Sequence, residues 1–284
     1  MGRMSSGAVW TVTAVALLSS AAFAAGKRQE FRYTVSPGAV VNISNQFGPV
    51  EVKGAAGRQV VIVATTHSEK VDVDSSQSGN RIQARTRFVQ SAEGPDAQVE
   101  YQVAVPQDAS VTVRAPSGPI SVDNLRGDLT LEGDAAQVNI RDISNGHVHV
   151  HTISGPVTVN NLNGDLEVTT LSGNVQLEAV SGRKVTVNTA KGAIRYKGDF
   201  GAGGDYVLVN HSGDIDVSLP ASASVDLSAR SITGSVENDF PLQQKGHPAF
   251  APTAQGRSFA GTSNSGASSV QLRSFSGKIR VKKQ

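Results

Sequence analysis

The chain has 284 residues, a formal net charge of +2, no cysteine and only 5% aromatic residues. Without cysteine there is no disulfide framework, so an apolar core must hold the fold, and the length is ample for one. A near-neutral chain lacks the basic footprint of a nonspecific nucleic-acid binder, and no nucleic-acid partner is expected.

Residues 1–24 read as a signal peptide. Arg3 supplies the positive charge, Val12 to Leu18 begins the apolar run, and Ala22-Phe23-Ala24 fits the small-x-small cleavage pattern. The run is too short to span a bilayer, so the mature chain should begin near Ala25 with no transmembrane span. Its expected location is the periplasm, the cell surface or the extracellular space. Removing Arg3 takes the 26 basic residues to 25, against 24 acidic ones. Trp10 lies in this leader, which leaves no Trp for a stacked sugar-binding site.

Residues 25–109 read as a β-rich entry or cap region. Phe31 to Val35, Val40 to Ile43, Val50 to Val52 and Val60 to Ala64 are short strands between Gly and Pro-Gly turns. Arg81 to Phe88 and Val99 to Val105 are longer, and the turn-rich Ser91 to Asp96 suggests that they pair antiparallel.

Residues 110–240 carry a repeat. Gly146, Gly155, Gly164, Gly173 and Gly182 stand nine residues apart. Aliphatic residues follow two and four places on, as in Val157 and Val159 or Val175 and Leu177. Another precedes the next glycine by two places: Ile153, Leu162, Leu171, Val180. Period-two alternation puts Val157 and Val159 on one face of a strand and Thr158 on the other. The glycine, preceded by Asn or Ser, is expected at the turn, where it takes positive φ. One such strand cannot bury its apolar face alone, but stacked copies can. The expected fold is therefore all-β, a parallel β-solenoid of roughly nine-residue units. Two units per coil or three both fit. Residues 241–269, rich in Gly, Ser, Gln and Pro, read as a long loop or disordered excursion. Residues 270–284 return as strands that close the solenoid.

The order of several segments is moderately specific. Phe47-Gly48-Pro49-Val50-Glu51-Val52, Tyr101 to Pro106, the SG-hydrophobic units, Ser212 to Pro220 and Ser274 to Val281 occur in sequence. In this the mature chain resembles a bacterial putative-adhesin family of unknown function, a set of exported β-solenoid proteins. The resemblance implies that fold and a place outside the cytoplasm, and it supplies no catalytic residues.

Three features invite chemistry. His147, His149 and His151 alternate with valines and share one strand face, and two His at i and i+2 can ligate Zn²⁺ or Cu²⁺. Asp142, Asn160 or Asp165 could add a ligand. The same row also serves simply as a solvated face. Asp128, Asp165 and Asp214 each follow a repeat glycine, so stacking could place an acid beside a base, as a polysaccharide-cleaving β-helix would need. Asp after Gly is equally ordinary turn chemistry. Lys278, Arg280 and Lys282 form a basic stripe that could touch an anionic surface or protect a sheet edge from pairing. There is no GxSxG elbow, no P-loop and no calcium-roll pattern.

The resulting expectation is a non-catalytic, adhesin-like binding or scaffold protein of the cell envelope. It needs no cofactor, and its partner is an envelope protein or polysaccharide. The alternatives are a polysaccharide-acting β-helix enzyme and a metal-binding envelope protein built on the HxHxH face.

Overall fold

The computed structural model describes residues 27–244 and 256–284. The expected signal peptide and residues 245–255 of the expected excursion lie outside them.

The chain opens with β1 (Lys27–Thr34), β2 (Val40–Ser44), β3 (Val50–Ala55), β4 (Gln59–Thr66), β5 (Val71–Ser78), β6 (Arg81–Phe88) and β7 (Val99–Pro106). The repeat region gives β8 (Ser110–Arg114), β9 (Ile120–Asp123), β10 (Leu129–Gly133), β11 (Val138–Thr152), β12 (Val157–Thr170), β13 (Val175–Ser181), β14 (Lys184–Thr189) and β15 (Ile194–Lys197). It continues through β16 (Asp205–Asn210), β17 (Ile215–Leu219), β18 (Val225–Ser231) and β19 (Val236–Asn238). The chain ends with β20 (Gln243–Gln244), β21 (Ser258–Ser263), β22 (Ser268–Ser274) and β23 (Ile279–Lys283).

The register chooses two units per coil. Val157 faces Val175, eighteen residues on, and Leu166 faces Val185, nineteen on. Each coil thus places one strand in a front sheet and the next in a back sheet. The front ladder runs β6, β2, β8, β10, the second half of β11, the second half of β12, β14, β16, β22, β18. The back ladder runs β7, β3, β9, the first halves of β11 and β12, then β13, β15, β17, β23, β19. All these pairings are parallel. Val157, Val159, Leu166, Val168, Val175 and Leu177 point between the sheets and are buried.

Chain order and stacking order part at both ends. The coil of β6 and β7 lies outside that of β2 and β3. The closing β22 and β23 slot between the coil of β16 and β17 and the coil of β18 and β19. Antiparallel strands then cover the outer coils: β5 on β6, β4 and β1 beyond β7, β21 and β20 beyond β18. The parallel edges at β6, β7 and β18 are thereby covered, while the short β19 ends the back ladder.

Four expectations change. Arg81 to Phe88 does not pair with Val99 to Val105. β6 takes β5 as its antiparallel partner and β7 takes β4, because the two strands belong to different sheets. The expected excursion at 241–269 holds an ordered strand, β21, which pairs with β18. The stripe on β23 is flanked by β17 along its length and by β19 from Ile279 to Val281, so Arg280 is not at a sheet edge and does not protect one.

The fourth concerns the repeat glycines. Positive φ falls on Asn124, Asp142, Asn161 and Ala179 at one corner and not on Gly146, Gly155, Gly164, Gly173 or Gly182. The glycines answer to close stacking instead. A Cβ on Gly155 would stand 1.6 Å from the Ala136 carbonyl oxygen of the preceding coil, and one on Gly173 would stand 2.1 Å from the Gly155 oxygen.

The two corners also differ. Where the back sheet passes to the front, Leu125, Ile143, Leu162 and Val180 are buried as the repeat predicts. Where the front passes to the back, the inward place belongs to Thr152, Thr170, Thr189 and Asn210. Thr170 Oγ1 accepts the Gly173 N–H at 3.0 Å, and Asn210 Oδ1 accepts that of Gly213 at 2.7 Å. These polar groups satisfy the turn backbone inside the stack. The aliphatic residue beside each, Ile153 or Leu171, is turned outward, so three inward aliphatics hold for alternate units only. One wider coil, with Ile194 facing Ile215, accommodates a cluster of Tyr196, Phe200 and Tyr206.

Candidate functional site

His147, His149 and His151 lie on the second half of β11 and point outward from the front sheet. They do not converge. Alternate residues on a strand stand about 6.6 Å apart, and each His occupies a separate ladder across the coils. His147 sits between two carboxylates, with Nδ1 3.2 Å from Asp128 Oδ1 and Nε2 3.4 Å from Asp165 Oδ2. His149 Nδ1 lies 3.5 Å from Glu167 Oε2. His149 and His151 help line a shallow groove with Arg114, Glu132 and Asp134. Asp142 and Asn160 are not in this row: Asp142 receives a bond from Asn161 at the corner, and Asn160 lies on the back sheet. Among the described residues no group of three or more His, Asp or Glu side chains is arranged to hold a metal ion.

The post-glycine carboxylates have a backbone task that sequence reasoning missed. Asp128 Oδ1 accepts the His147 N–H at 3.1 Å, Asp165 Oδ1 that of Lys184 at 3.1 Å, and Asp214 Oδ1 that of Lys278 at 2.9 Å. Asn174 Oδ1 does the same for Ala193 at 2.9 Å. Each thus ties the start of one strand to the corner of the coil below. Asp128 and Asp165 meet across His147, while Asp214 stands at the opposite corner, so the three do not form one ladder. The recurrence of Asp or Asn directly after glycine was the available signal.

Charge on the back sheet is laid out in alternating ladders. Lys197 Nζ reaches Glu178 at 2.7 Å. Arg280 lies 2.9 Å from Asp216 and 3.2 Å from Asp214, and the Asp216 hydrogen bond raises its pKa further above the ordinary guanidinium value. Lys278 pairs with Glu237. Two members of the basic stripe are therefore already matched by acids. Among the described residues no helix is long and apolar enough to cross a membrane.

Comparison with known proteins places these features. The family model Toastrack DUF4097 matches residues 41–282. Among solved structures the chain is similar to a putative adhesin from Bacteroides fragilis, with 13% identity over 91% of this chain and 97% of that one and a TM-score of 0.40. It is also similar to a putative adhesin from Parabacteroides merdae, with 9% identity, 91% and 97% coverage and a TM-score of 0.39. A putative cell adhesion protein from Clostridium sporogenes gives 11% identity, 91% and 100% coverage and a TM-score of 0.32. No curated protein matches the sequence.

Proposed function

The chain belongs to the Toastrack DUF4097 family, and we propose that it works outside the cytoplasm as a non-catalytic, adhesin-like binding or scaffold protein of the bacterial cell envelope. The observation that carries this reading is how the acids are used. Asp128, Asp165 and Asp214 hold backbone N–H groups of the next coil, and Asp214 and Asp216 also neutralise Arg280. A hydrolytic pair would need one carboxyl group free to give a proton and another free to take one. The sheets instead offer two long outward faces of short polar side chains and paired charges. Such faces suit contact with an extended polymer or another envelope protein. Export by the leader at 1–24 brings the chain to that partner.

A photocrosslinker placed at Thr158 or Gln176 on the back sheet, in intact cells, tests the reading. A specific envelope protein or polymer should be attached to the mature chain, whose first residue lies near Ala25. Turnover of envelope glycan by the purified chain, abolished by Asp165→Ala without loss of fold, would establish the enzyme instead.

A further inference from the structure

The front-to-back corner has a property the opposite corner lacks. Six large hydrophobic side chains are exposed among the described residues, and five of them lie on this one edge: Phe47, Ile153, Leu171, Phe275 and Ile232, each between 40% and 55% exposed. Backbone bonds fix their order. Ser172 N bonds to Ile153 O, Lys191 N to Leu171 O, Ser212 N to Ala190 O, Ser276 N to His211 O and Thr233 N to Phe275 O. From Ile153 to Ile232 the row therefore passes through six consecutive coils, about 24 Å at the usual strand spacing. His211 and Phe275 stack at 4.8 Å within it. The next residues along the turn are short, Ser154, Ser172, Ser212 and Ser276, with Lys191 the exception. Its large apolar members form two pairs, Ile153 with Leu171 and Phe275 with Ile232, with Ala190 and His211 on the two coils between, and exposed apolar surface of this kind marks a contact site.

A second, independent feature adjoins its C-terminal half. Arg230 stands directly opposite Arg273 in the parallel register of β18 and β22. Like charges so placed are destabilising. The backbone of Arg257 runs alongside, its carbonyl accepting the Ser231 N–H at 2.9 Å. Elsewhere arginines find acids, as Arg114 does with Glu132 and Arg280 with Asp216. Arg230, Arg257, Arg273 and Lys191 have no ion pair among the described residues. Arg273 bonds only to the neutral Gln271. A groove of about 520 Å³, open on its outer side, runs past Asn188, Val209 and Arg273 to Phe275.

We propose that this edge docks the protein on an anionic phospholipid bilayer. The apolar row enters the headgroup boundary, and Arg230 and Arg273 meet lipid phosphates, for which the guanidinium fork is well shaped. A bilayer fits better than a peptide strand because the row lies at the corner between the two sheets, takes equivalent places from coil to coil, and adjoins the unpaired Arg230 and Arg273. The edge is separate from the outward sheet faces, so it stands or falls independently of what they bind.

Flotation of the purified full chain with vesicles tests this. One set is an equal mixture of phosphatidylglycerol and phosphatidylethanolamine, the other pure phosphatidylcholine. Residues 1–24 are common to all variants, so the readout is the ratio between variants. The chain should partition into the anionic vesicles. Arg230→Gln with Arg273→Gln should weaken partition about 25-fold, roughly fivefold for each basic residue near an anionic surface. Leu171→Ser with Phe275→Ser should weaken it at least about tenfold. Thr158→Asp on the back sheet should leave it unchanged. Melting curves establish that each variant is folded. If the serine pair does not fold, the arginine pair decides, because both side chains are exposed. Equal partition of wild type and arginine variant, a ratio between them that is the same on phosphatidylcholine as on the anionic vesicles, or no partition at all overturns the proposal. So does retention of a protein through this edge when vesicles are ignored.

Discussion

Gly155→Ala should force two coils apart. Its new Cβ would lie 1.6 Å from the Ala136 carbonyl oxygen and 2.4 Å from the carbonyl carbon. An ordinary contact is more than twice the shorter distance, and the obstacle is backbone, with no flexible tip to swing away. Relief therefore needs a local separation of roughly 2 Å between strands normally about 4.8 Å apart. That strains the bonds beside the corner between the same two coils, Val138 N to Pro156 O at 2.9 Å and Ser154 N to Asp134 O at 2.8 Å. Two or three such bonds, at about 1 kcal/mol net each, plus lost packing give a destabilisation of about 3–5 kcal/mol. Gly57→Ala is the control. Gly57 has φ +107 and open space around its Cα, so alanine there meets backbone strain alone, about 1–2 kcal/mol. Urea unfolding followed by circular dichroism measures both. If Gly155→Ala costs no more than Gly57→Ala, close stacking is not why glycine recurs.

Val159 is fully buried, and Val159→Asp should cost about 4 kcal/mol or more by placing an unpaired carboxylate in the core. Thr158→Asp, beside Asn139 and Gln176 on the outer face, should stay within about 0.5 kcal/mol, and equal effects in urea titrations would refute the inward and outward assignment. Thr170→Val removes the acceptor for both the Gly173 N–H and the Thr152 hydroxyl, each 3.0 Å away. It should lower stability by about 1–3 kcal/mol despite adding apolar surface, and a stabilised variant in thermal melts would mean that the polar ladder is dispensable. Burial pushes the Tyr101 phenol up from 10.0 to about 12 and raises those of Tyr196 and Tyr206 as well. Their contribution is complete below pH 10. It falls as pH climbs above 10, where the unfolded chain releases protons that the fold retains. Absorbance at 295 nm and circular dichroism should therefore change together in strong alkali, and ionisation of all three phenols with the fold intact would contradict their burial.

The parts legible in the sequence are those set by local periodicity. The two-residue alternation places Val157, Val159, Val175 and Leu177 inward, and the nine-residue period marks the corners. The number of units per coil was not legible, because a local pattern is silent about which copy stacks on which. For the same reason the inner places of β2 and β3 and the slotting of β22 and β23 are invisible in chain order. Ile153 and Leu171 look like Leu162 and Val180 in the repeat. What separates them is the Thr at 152 and 170, which takes the inward place: Thr170 accepts the Gly173 N–H, and the Thr152 hydroxyl donates to Thr170. The histidines were rightly placed on one outward face. Their separate engagement by Asp128, Asp165 and Glu167 depends on register between coils, which no single unit contains. The apolar row from Ile153 to Ile232 runs across six coils, so it exists only once they are stacked.

The stacking of the closing segment underlies both the apolar edge and the pairing of Arg280 with Asp214, and disulfide trapping tests it most directly. The chain has no cysteine, so introduced pairs are unambiguous. Val207 faces Gln271, and Gln271 faces Ser228, each on adjacent strands. Val207→Cys with Gln271→Cys, and Gln271→Cys with Ser228→Cys, should each form an internal disulfide on mild oxidation. Val207→Cys with Ser228→Cys should not, because two strand spacings, about 9.6 Å, exceed the reach of a disulfide. Ready bridging of 207 to 228, with none from 271 to 207, would mean that the coils stack in chain order and that this account of the edge is wrong.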